Sequence, residues 1–224
     1  MKIKYHGYCT FRIIGKRVSI ITDPVSLFEQ GGSMSKTKAD ICLISDPEYI
    51  GKSDVLKKAD IENKIEVRRK KKGPGKVFVI VNPGEYEFGG LLIRRQTEDG
   101  VYFIDDGSIR VLYLGGLTAD FDIKKLKDLG DVDVLIVPVG DGDRFASLQK
   151  VEKIVSMTDP AFVLPCGYKD KDLKGTSELK TIEDFMKEVG FSESHETEKS
   201  LKVTKSTVDD DQKDLAVVVL QKLK

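Results

Sequence analysis

Two runs of this chain are apolar at almost every position, and they restrict the folds that it can adopt. One covers residues 41–44, within a predicted strand at 39–45, and the other lies within 130–140, where the sequence is GDVDVLIVPVG. A strand that faces water on one side alternates apolar and polar residues, whereas a strand covered on both faces can be apolar throughout. Both runs therefore predict buried strands with other layers of structure on each side.

Shorter patterns around these runs predict a strand-rich first half, followed by alternating helices and strands. Further strands are predicted at 2–5, 10–14, 17–22, 76–81, 91–96, 101–105, 109–114, 161–168, 201–204 and 215–220. Helices are predicted at 52–63, 121–129, 146–158 and 177–189, and the last three carry apolar residues at helical spacing. This order is expected for two facing sheets with helices packed on the outside.

The Asp23-Pro24 pair ends the predicted strand at 17–22. Proline restricts the residue before it to extended conformations, so Asp23 is predicted to be extended. The segment 28–38 contains Gly31-Gly32 and several small polar residues, and it is predicted to be a loop.

Charge and hydropathy argue against several classes of partner. Lysine plus arginine and aspartate plus glutamate both total 37, so the net charge favours neither nucleic acid nor an acidic membrane surface. No apolar run approaches the roughly 20 residues that span a bilayer, and the N-terminal residues alternate like a strand and lack a signal-peptide core. We therefore expect one cytoplasmic domain, residues 1–224, with no membrane partner.

One basic segment offers an alternative function. Five consecutive basic residues begin at Arg68 and end at Lys72, just before a Gly-Pro-Gly turn. A nucleic-acid-binding surface would use such charges, but no aromatic residues are interleaved here to stack on bases. A solvated loop is the favoured interpretation, and a nucleic-acid-associated protein is the third and weakest functional class.

Three motifs resemble those of the metallo-β-lactamase superfamily. The chain has NPGEYE at 82–87, similar to the GPGEYE signature of one branch, the GDVDVLIVPVG strand, and LPCGY at 164–168 where relatives end IPxHY. That branch consists of small single-domain zinc-dependent hydrolases that are similar to ascorbate-6-phosphate lactonase. The resemblance spans nearly the whole chain and implies an α/β, four-layer αββα fold, with two facing mixed sheets and outer helices.

The positions that bind metal in this superfamily are altered. Its HxHxDH motif falls on residues 46–51, so that its four site positions are occupied here by Asp46, Glu48, Ile50 and Gly51. The bridging aspartate of the superfamily falls on Gly116, and the histidine of its last site strand falls on Gly167. Since glycine has no side-chain atom that can bind a metal ion, the resemblance implies that the dinuclear zinc site has been lost.

Histidine is too scarce to rebuild that site elsewhere. The chain has only two histidines, His6 and His195, which are far apart in sequence, whereas a dinuclear zinc centre normally draws on several imidazoles. The superfamily's Gly-His pair falls on Gly7-Tyr8, so His6 should not inherit its role. Tyr8 would either line the cleft with its hydroxyl or cap the core.

The three cysteines indicate neither a zinc ribbon nor a disulfide framework. Cys9, Cys42 and Cys166 show no Cys-x-x-Cys spacing and form an odd set. Cys42 is most simply a small core residue. Cys9 and Cys166 would come close together if both lined the cleft, as a soft ligand pair or a thiol site, although no histidine is placed to act as a base.

Acidic residues at the predicted strand ends are candidates for a different metal site. Asp46 and Glu48 lie two residues apart, as do Asp141 and Asp143, and in an extended segment such pairs point to one side. The resemblance places Asp23 near the same opening of the fold as these strand ends. Oxygen ligands suit magnesium, calcium or manganese better than zinc. Solvated acidic loops are the simpler interpretation.

We interpret the chain as a binding or assembly protein of unknown ligand or partner, with no catalytic residues and no expected cofactor. The alternative is a hydrolase of phosphoesters or lactones that uses zinc or another divalent cation at the carboxylates named above. Self-association is a further expectation, with Phe88, Leu91 and Leu92 as candidate contacts.

Overall fold

The computed structural model describes residues 1–52, 54–67, 76–96, 99–127, 129–190, 196–208 and 215–223. In chain order the strands are β1 (Lys2–Gly7), β2 (Thr10–Ile14), β3 (Ser19–Thr22), β4 (Thr37–Lys38), β5 (Ile41–Leu43), β6 (Ile65–Glu66), β7 (Phe78–Ile80), β8 (Gly84–Phe88), β9 (Leu91–Arg95), β10 (Tyr102–Asp105), β11 (Arg110–Tyr113), β12 (Val134–Pro138), β13 (Phe162–Cys166), β14 (Glu196–Glu198), β15 (Leu201–Lys202) and β16 (Ala216–Leu220). The α-helices are α1 (Pro24–Glu29), α2 (Leu148–Thr158), α3 (Ile182–Glu188) and α4 (Lys205–Val208), and short 3-10 helices cover Pro47–Tyr49, Val55–Lys64, Ile123–Leu126 and Lys174–Thr176.

The first sheet contains six strands in the order β15-β1-β2-β3-β5-β7. Strands β1, β2 and β3 form an antiparallel meander, and the amide of Gly15 donates to the carbonyl of Val18 at 2.9 Å in its second turn. Strands β5 and β7 extend the sheet in parallel, and β15 pairs with β1. The predicted meander and the buried strand within 39–45 are therefore confirmed. A separate two-stranded ladder joins β4 to β6.

The second sheet contains eight strands in the order β14-β16-β13-β12-β11-β10-β9-β8. Strands β8 to β11 are antiparallel, whereas β11, β12, β13, β16 and β14 run parallel. Helix α2 connects β12 to β13, because parallel neighbours need a crossover connection. The sheet is thus mixed, as the predicted fold requires.

The apolar core lies on both faces of the second sheet. Ile136 of β12 packs in a cluster that also includes Ile20 of the first sheet. Its neighbour Leu135 lies in a second cluster with Val151 of α2 and Phe185 of α3. Since successive side chains of a strand point to opposite faces, β12 is apolar throughout because both of its faces are covered. The layers follow the predicted αββα order of an α/β protein.

Helix α3 begins with a reciprocal cap. The Thr181 hydroxyl accepts a hydrogen bond from the Asp184 amide at 3.2 Å, and the Asp184 carboxylate accepts one from the Thr181 amide at 2.9 Å. Two amide groups that the helix itself leaves without partners are satisfied in this way.

We expect Thr181→Ala to lower the free energy of unfolding by about 1 kcal/mol, since the alanine side chain cannot accept the Asp184 amide. Urea denaturation monitored by circular dichroism would measure the change. Ser177→Ala is the matched control, because among the described residues the hydroxyl of Ser177 donates only to the exposed Glu178. Equal losses in the two variants would contradict the capping role.

The predicted conformation of Asp23 is wrong. Asp23 has φ 38° and ψ 48°, in the left-handed region, and Pro24 begins α1 instead of only ending a strand. Proline suits the first position of a helix because its fixed φ is already helical and its missing amide hydrogen would have no partner there. The predicted loop at 28–38 correspondingly begins in the last turn of α1 and ends in β4.

Other differences concern short elements. The predicted helices at 52–63 and 121–129 are 3-10 helices, Val55–Lys64 and Ile123–Leu126. The second of these is capped by Asp122, whose carboxylate accepts from the Lys124 amide at 3.0 Å, a local contact that favours a tight turn. Strand β14 and helix α4 were not expected, because both are short and polar.

The segment that begins at Arg68 and ends at Lys72 lies outside the described residues. Within the part of the chain that the structure describes, no helix is long and apolar enough to cross a membrane.

Candidate functional site

A cleft of about 370 Å³ opens where the turn after β1, the ends of β5 and β11 and the loop before α2 meet. Its position at the ends of sheet strands is where side chains from several elements can converge. The cleft is lined by Tyr8, Asp23, Ser26, Glu29, Ser45, Asp46, Pro47, Glu48, Gly115, Gly116, Thr118, Arg144 and Phe145.

Asp23 lies at the base of the cleft because its backbone is held from several directions. Its amide donates to the carbonyl of Leu43 at 2.8 Å. Its carbonyl accepts from the hydroxyls of Thr10 at 2.9 Å and Ser26 at 2.8 Å. The left-handed conformation turns the chain from β3 into α1 and brings the carboxylate beside Ser45.

The Asp23 carboxylate is surrounded by donors of the protein. One oxygen accepts from the Ser45 amide at 2.6 Å, and the other accepts from the hydroxyls of Ser45 and Tyr113. Burial raises the pKa of Asp23 to about 6, and the charge of Asp46 adds to this rise while the three hydrogen bonds oppose it. The Tyr113 hydroxyl also lies 2.7 Å from the carbonyl of Cys9, and burial raises its pKa.

Asp46 and Glu48 form one rim of the cleft. The Asp46 carboxylate caps the 3-10 helix Pro47–Tyr49 by accepting from the Glu48 amide at 2.9 Å. The Glu48 carboxylate pairs with Lys52 at 3.9 Å, and both side chains are exposed. These two carboxylates therefore already have partners within the chain.

Arg144 brings a positive charge into the cleft. Its guanidinium lies over the ring of Tyr8, 5.5 Å from the centroid, and its Nη2 is 3.8 Å from Asp46 Oδ2. When the Gln30 amide is oriented to satisfy both of its neighbours, its oxygen accepts from Arg144 Nη1 at 3.0 Å and its nitrogen donates to the carbonyl of Gly175 at 2.9 Å. Contacts with a ring, a carboxylate and an amide thus fix the guanidinium.

Two glycines mark places at the site where a side chain does not fit. A Cβ atom at Gly116 would lie 2.7 Å from the carbonyl oxygen of Ser45. A Cβ atom at Gly167 would lie 2.9 Å from the ring of Phe145, and this glycine has a φ of +58°, which favours glycine. The space that ligands at 116 and 167 would need is therefore filled by other atoms of the chain.

The structure gathers some of the predicted site residues and leaves others outside. Those that line the cleft are Tyr8, Asp23, Asp46, Glu48 and Gly116, and those that do not are Asp141, Asp143, Cys166 and Gly167. The Tyr8 side chain is buried, and its hydroxyl has no hydrogen-bond partner among the described residues. Asp141 instead accepts from the Gly142 amide at 2.7 Å, within its own loop.

Sequence reasoning did not single out several lining residues, namely Ser26, Glu29, Thr118, Arg144 and Phe145. The Asp-Gly-Asp-Arg loop was considered only for its carboxylates, although its arginine is the residue that enters the cleft. Glu29 lies in the segment 28–38 that is predicted to be a loop, and no element is predicted for Ser26, so the helix that presents both residues is missed by the sequence. Of the candidate contacts for self-association, Leu91 is buried in the core. Phe88 packs against the half-exposed Phe78, and the centroids of the two rings are 5.0 Å apart.

Comparison with known proteins places the chain in a family. A family model described as the β-lactamase superfamily domain matches residues 2–167. The chain belongs to the β-lactamase superfamily. A UPF0173 protein from Pyrococcus abyssi is 28% identical over 192 residues, which cover 75% of this chain and 83% of that protein.

Solved structures of superfamily members share the fold. A structure from Thermotoga maritima, described as a candidate Zn-dependent hydrolase of the metallo-β-lactamase superfamily, aligns with a TM-score of 0.72 at 23% identity and covers 98% of each chain. Igni18, described as a metallo hydrolase from Ignicoccus hospitalis, aligns with a TM-score of 0.57 at 15% identity, over 91% of this chain and 99% of that one. At these identities the likeness concerns the fold, which confirms the predicted metallo-β-lactamase architecture.

The donors in the cleft do not match a dinuclear zinc centre. The described residues that line it include neither histidine nor cysteine, which are the usual zinc ligands along with carboxylates. The Asp23 carboxylate is already bonded to Ser45 and Tyr113. Among the described residues, no group of three or more histidine, cysteine, aspartate or glutamate side chains is placed to hold a metal ion.

Proposed function

We propose that this superfamily member is a non-catalytic binding or assembly protein whose cleft works without a zinc centre. The observation that supports this proposal is that the buried Asp23 carboxylate already accepts hydrogen bonds from the protein. A metal ion bound there would have to displace the Ser45 amide and the hydroxyls of Ser45 and Tyr113 from a site that is 3% exposed. The buried Ser45 amide would then lose its partner, at a cost of about 1–3 kcal/mol, whereas the Tyr113 hydroxyl would retain its contact with the Cys9 carbonyl.

The chain itself supplies the positive charge of the cleft. Among the described residues of the lining, Arg144 is the cationic one, and it lies among Asp23, Glu29, Asp46 and Glu48. An occupant that fits this lining is small and polar and carries both donors and acceptors, because a guanidinium and several carboxylates face the same space. A side chain of a protein partner would meet the same chemistry as a free molecule.

A hydrolase of phosphoesters or lactones is the competing function. It is supported by the descriptions of the structural relatives as metal-dependent hydrolases, and by the position of Asp46 and Glu48 on one rim. Asp141 and Asp143 would have to move to join them, since neither lines the cleft. The binding role needs no such rearrangement.

We expect the protein, purified without chelator or histidine tag, to contain well below one equivalent of zinc, manganese or iron. Elemental analysis by mass spectrometry would measure this, and thermal denaturation with and without added metal would test for weak sites. We expect no shift in the melting temperature, because the cleft carboxylates already have partners.

Asp46→Ala and Glu48→Ala serve as controls for that measurement. Near-stoichiometric metal in the native protein that disappears in either variant would overturn the proposal and favour the hydrolase. Screening phosphodiester and lactone hydrolysis would then be the next step.

A further inference from the structure

The Arg144 guanidinium keeps hydrogen-bonding capacity inside the cleft. An arginine side chain carries several N–H donors. Within the described part of the chain, the hydrogen bond that uses them is the one from Nη1 to the Gln30 amide oxygen at 3.0 Å. The distance of 3.8 Å from Nη2 to Asp46 Oδ2 makes an ion pair but is too long for a hydrogen bond. The guanidinium is therefore fixed, while donors remain for an acceptor that enters the cleft.

Asp46 places an acceptor of opposite charge beside this guanidinium. Its Oδ1 atom accepts from the Glu48 amide at 2.9 Å, whereas its Oδ2 atom accepts no hydrogen bond from any residue that the structure describes. The side chains of Asp46 and Arg144 are 30% and 42% exposed, so both are accessible from the cleft. A ligand could thus bind to Oδ2 without disturbing the cap that Oδ1 provides.

A buried hydroxyl in the same lining is an independent indication of a ligand. The ring of Tyr8 contacts two other lining residues, at 5.5 Å from the Arg144 guanidinium and 5.9 Å from the centroid of the Phe145 ring. Tyr8 is 2% exposed, and its hydroxyl has no hydrogen-bond partner among the described residues. Buried polar groups are nearly always paired in folded proteins. An acceptor bound to Arg144 would supply the missing partner.

We propose that the cleft binds a free α-amino acid, with its carboxylate on Arg144 and the Tyr8 hydroxyl and its ammonium group on Asp46. The proposal rests on the binding role stated above and names the class of ligand. One carbon separates the two charged groups of an α-amino acid, which suits a guanidinium and a carboxylate that lie 3.8 Å apart. The cleft volume of about 370 Å³ is also that of a small-molecule site, since these range over about 300–1,000 Å³.

The paired charges favour a free amino acid over ligands that carry one charge. Acetate could bind to Arg144 but would place its charge beside the Asp46 carboxylate, and methylammonium at Asp46 would lie beside the guanidinium. The end of a protein chain has the same deficiency, because its terminal residue carries either the ammonium or the carboxylate. Juxtaposed like charges are unfavourable, so the site discriminates against each of these ligands.

Ligand-observed NMR would test this proposal. Saturation-transfer difference spectra of the standard amino acids, each at millimolar concentration, would be recorded with the full-length protein after treatment with chelator. The amino acid with the strongest signal would then be titrated to obtain its dissociation constant. We expect saturable binding of at least one amino acid. Its N-acetyl derivative and its methyl ester each lack one of the two charges, and each should bind at least about tenfold more weakly.

Two variants test the residues that we assign to the carboxylate. Tyr8→Phe removes a hydroxyl that has no partner, so the melting temperature without ligand should stay the same or rise, while the dissociation constant should increase about fivefold. Arg144→Met should increase it at least about tenfold, since the lost hydrogen bonds are charge-assisted. Asp143→Asn is the matched control, because it changes a charge of the same loop outside the cleft lining, and its dissociation constant should equal that of the native sequence.

Three results would overturn the proposal: no amino acid binds to the native sequence, the N-acetyl derivative or the ester binds as tightly as the amino acid, or Arg144→Met and Asp143→Asn have equal effects. Elemental analysis before chelation tests the proposed function separately. Metal-free protein that binds no amino acid contradicts this ligand alone. Protein that holds near-stoichiometric metal contradicts the non-catalytic role, whether or not an amino acid binds.

Discussion

Arg95→Met is expected to lower the free energy of unfolding by about 3 kcal/mol. The Arg95 side chain is 1% exposed, and its Nη1 donates to the carbonyl of Ile44 and to the hydroxyl of Tyr102, both at 2.9 Å. The guanidinium also lies 5.3 Å from the centroid of the Tyr102 ring. Methionine keeps much of the side-chain volume but donates no hydrogen bond, and a hydrogen bond from a charged donor contributes about 1.5–3 kcal/mol.

The effect should be large because Arg95 and Tyr102 join the two sheets. Both residues belong to the second sheet, in β9 and β10. The Tyr102 hydroxyl lies 2.7 Å from the carbonyls of Ile44 and Ile80, at the ends of strands in the first sheet. Ile44 directly precedes Ser45, so this contact also holds the strand end that supports the base of the cleft.

Arg94→Met is the matched control for this prediction. Arg94 is the preceding residue of the same strand, but its side chain is 33% exposed and pairs with Glu85 at 2.9 Å. An exposed ion pair of this kind contributes less than about 1 kcal/mol. Urea denaturation of both variants would measure the difference, and similar losses would contradict a special role for the buried guanidinium.

The dependence of stability on pH should change in opposite directions in His6→Gln and Asp23→Asn. Burial lowers the pKa of His6 from 6.5 to about 4, and the charges of Arg12 and Lys4 add to this effect. The unfolded chain therefore binds more protons than the folded one between these values, and His6 destabilises the fold as the pH falls from 6.5 to 4. This shift in the pKa of His6 corresponds to a change of about 3 kcal/mol in the free energy of unfolding.

Asp23 acts in the opposite sense. Its pKa is raised from 3.8 to about 6 by burial, so the folded protein binds more protons than the unfolded chain between these values. The contribution of Asp23 to stability therefore falls as the pH rises from 4 to 6, again by about 3 kcal/mol. In the native sequence the two contributions largely cancel within this window.

Urea denaturation between pH 4 and pH 7 would separate the two groups. Relative to the native sequence, His6→Gln should lose stability as the pH rises from 4 to 6, since the effect of Asp23 is then no longer offset by that of His6. Asp23→Asn should gain stability over the same range. All other ionisable groups are common to the three proteins, so differences between the curves isolate these two. Parallel curves for all three proteins would contradict both pKa shifts.

The strands and the layer order could be predicted from sequence because each depends on a local pattern. An apolar run such as that of β12 requires cover on both faces, wherever the covering residues come from. The reversal at Asp23 could not be predicted in this way. Its left-handed backbone is stabilised by contacts with Leu43, Ser45 and Tyr113, which lie elsewhere in the sequence.

The same distinction applies to the cleft. Asp46 and Glu48 were predicted to reach it because they directly follow a strand that must end at the edge of a sheet. Arg144 was missed because its position depends on Tyr8 and Gln30, in distant parts of the chain. An arginine in a polar loop has no neighbouring sequence pattern that predicts such contacts. Tertiary contacts, which no short pattern encodes, decided which charge enters the cleft.

The close packing around Gly116 and Gly167 limits how this cleft could be engineered. An aspartate at 116 would bring its Cβ atom within 2.7 Å of the Ser45 carbonyl, and a histidine at 167 would bring its Cβ atom within 2.9 Å of the Phe145 ring. A side chain at 116 would therefore need the Ser45 backbone to move, and one at 167 would need the Phe145 ring to move or to be replaced by a smaller side chain. Metal ligands introduced at 116 and 167 would therefore lower stability before any metal could bind.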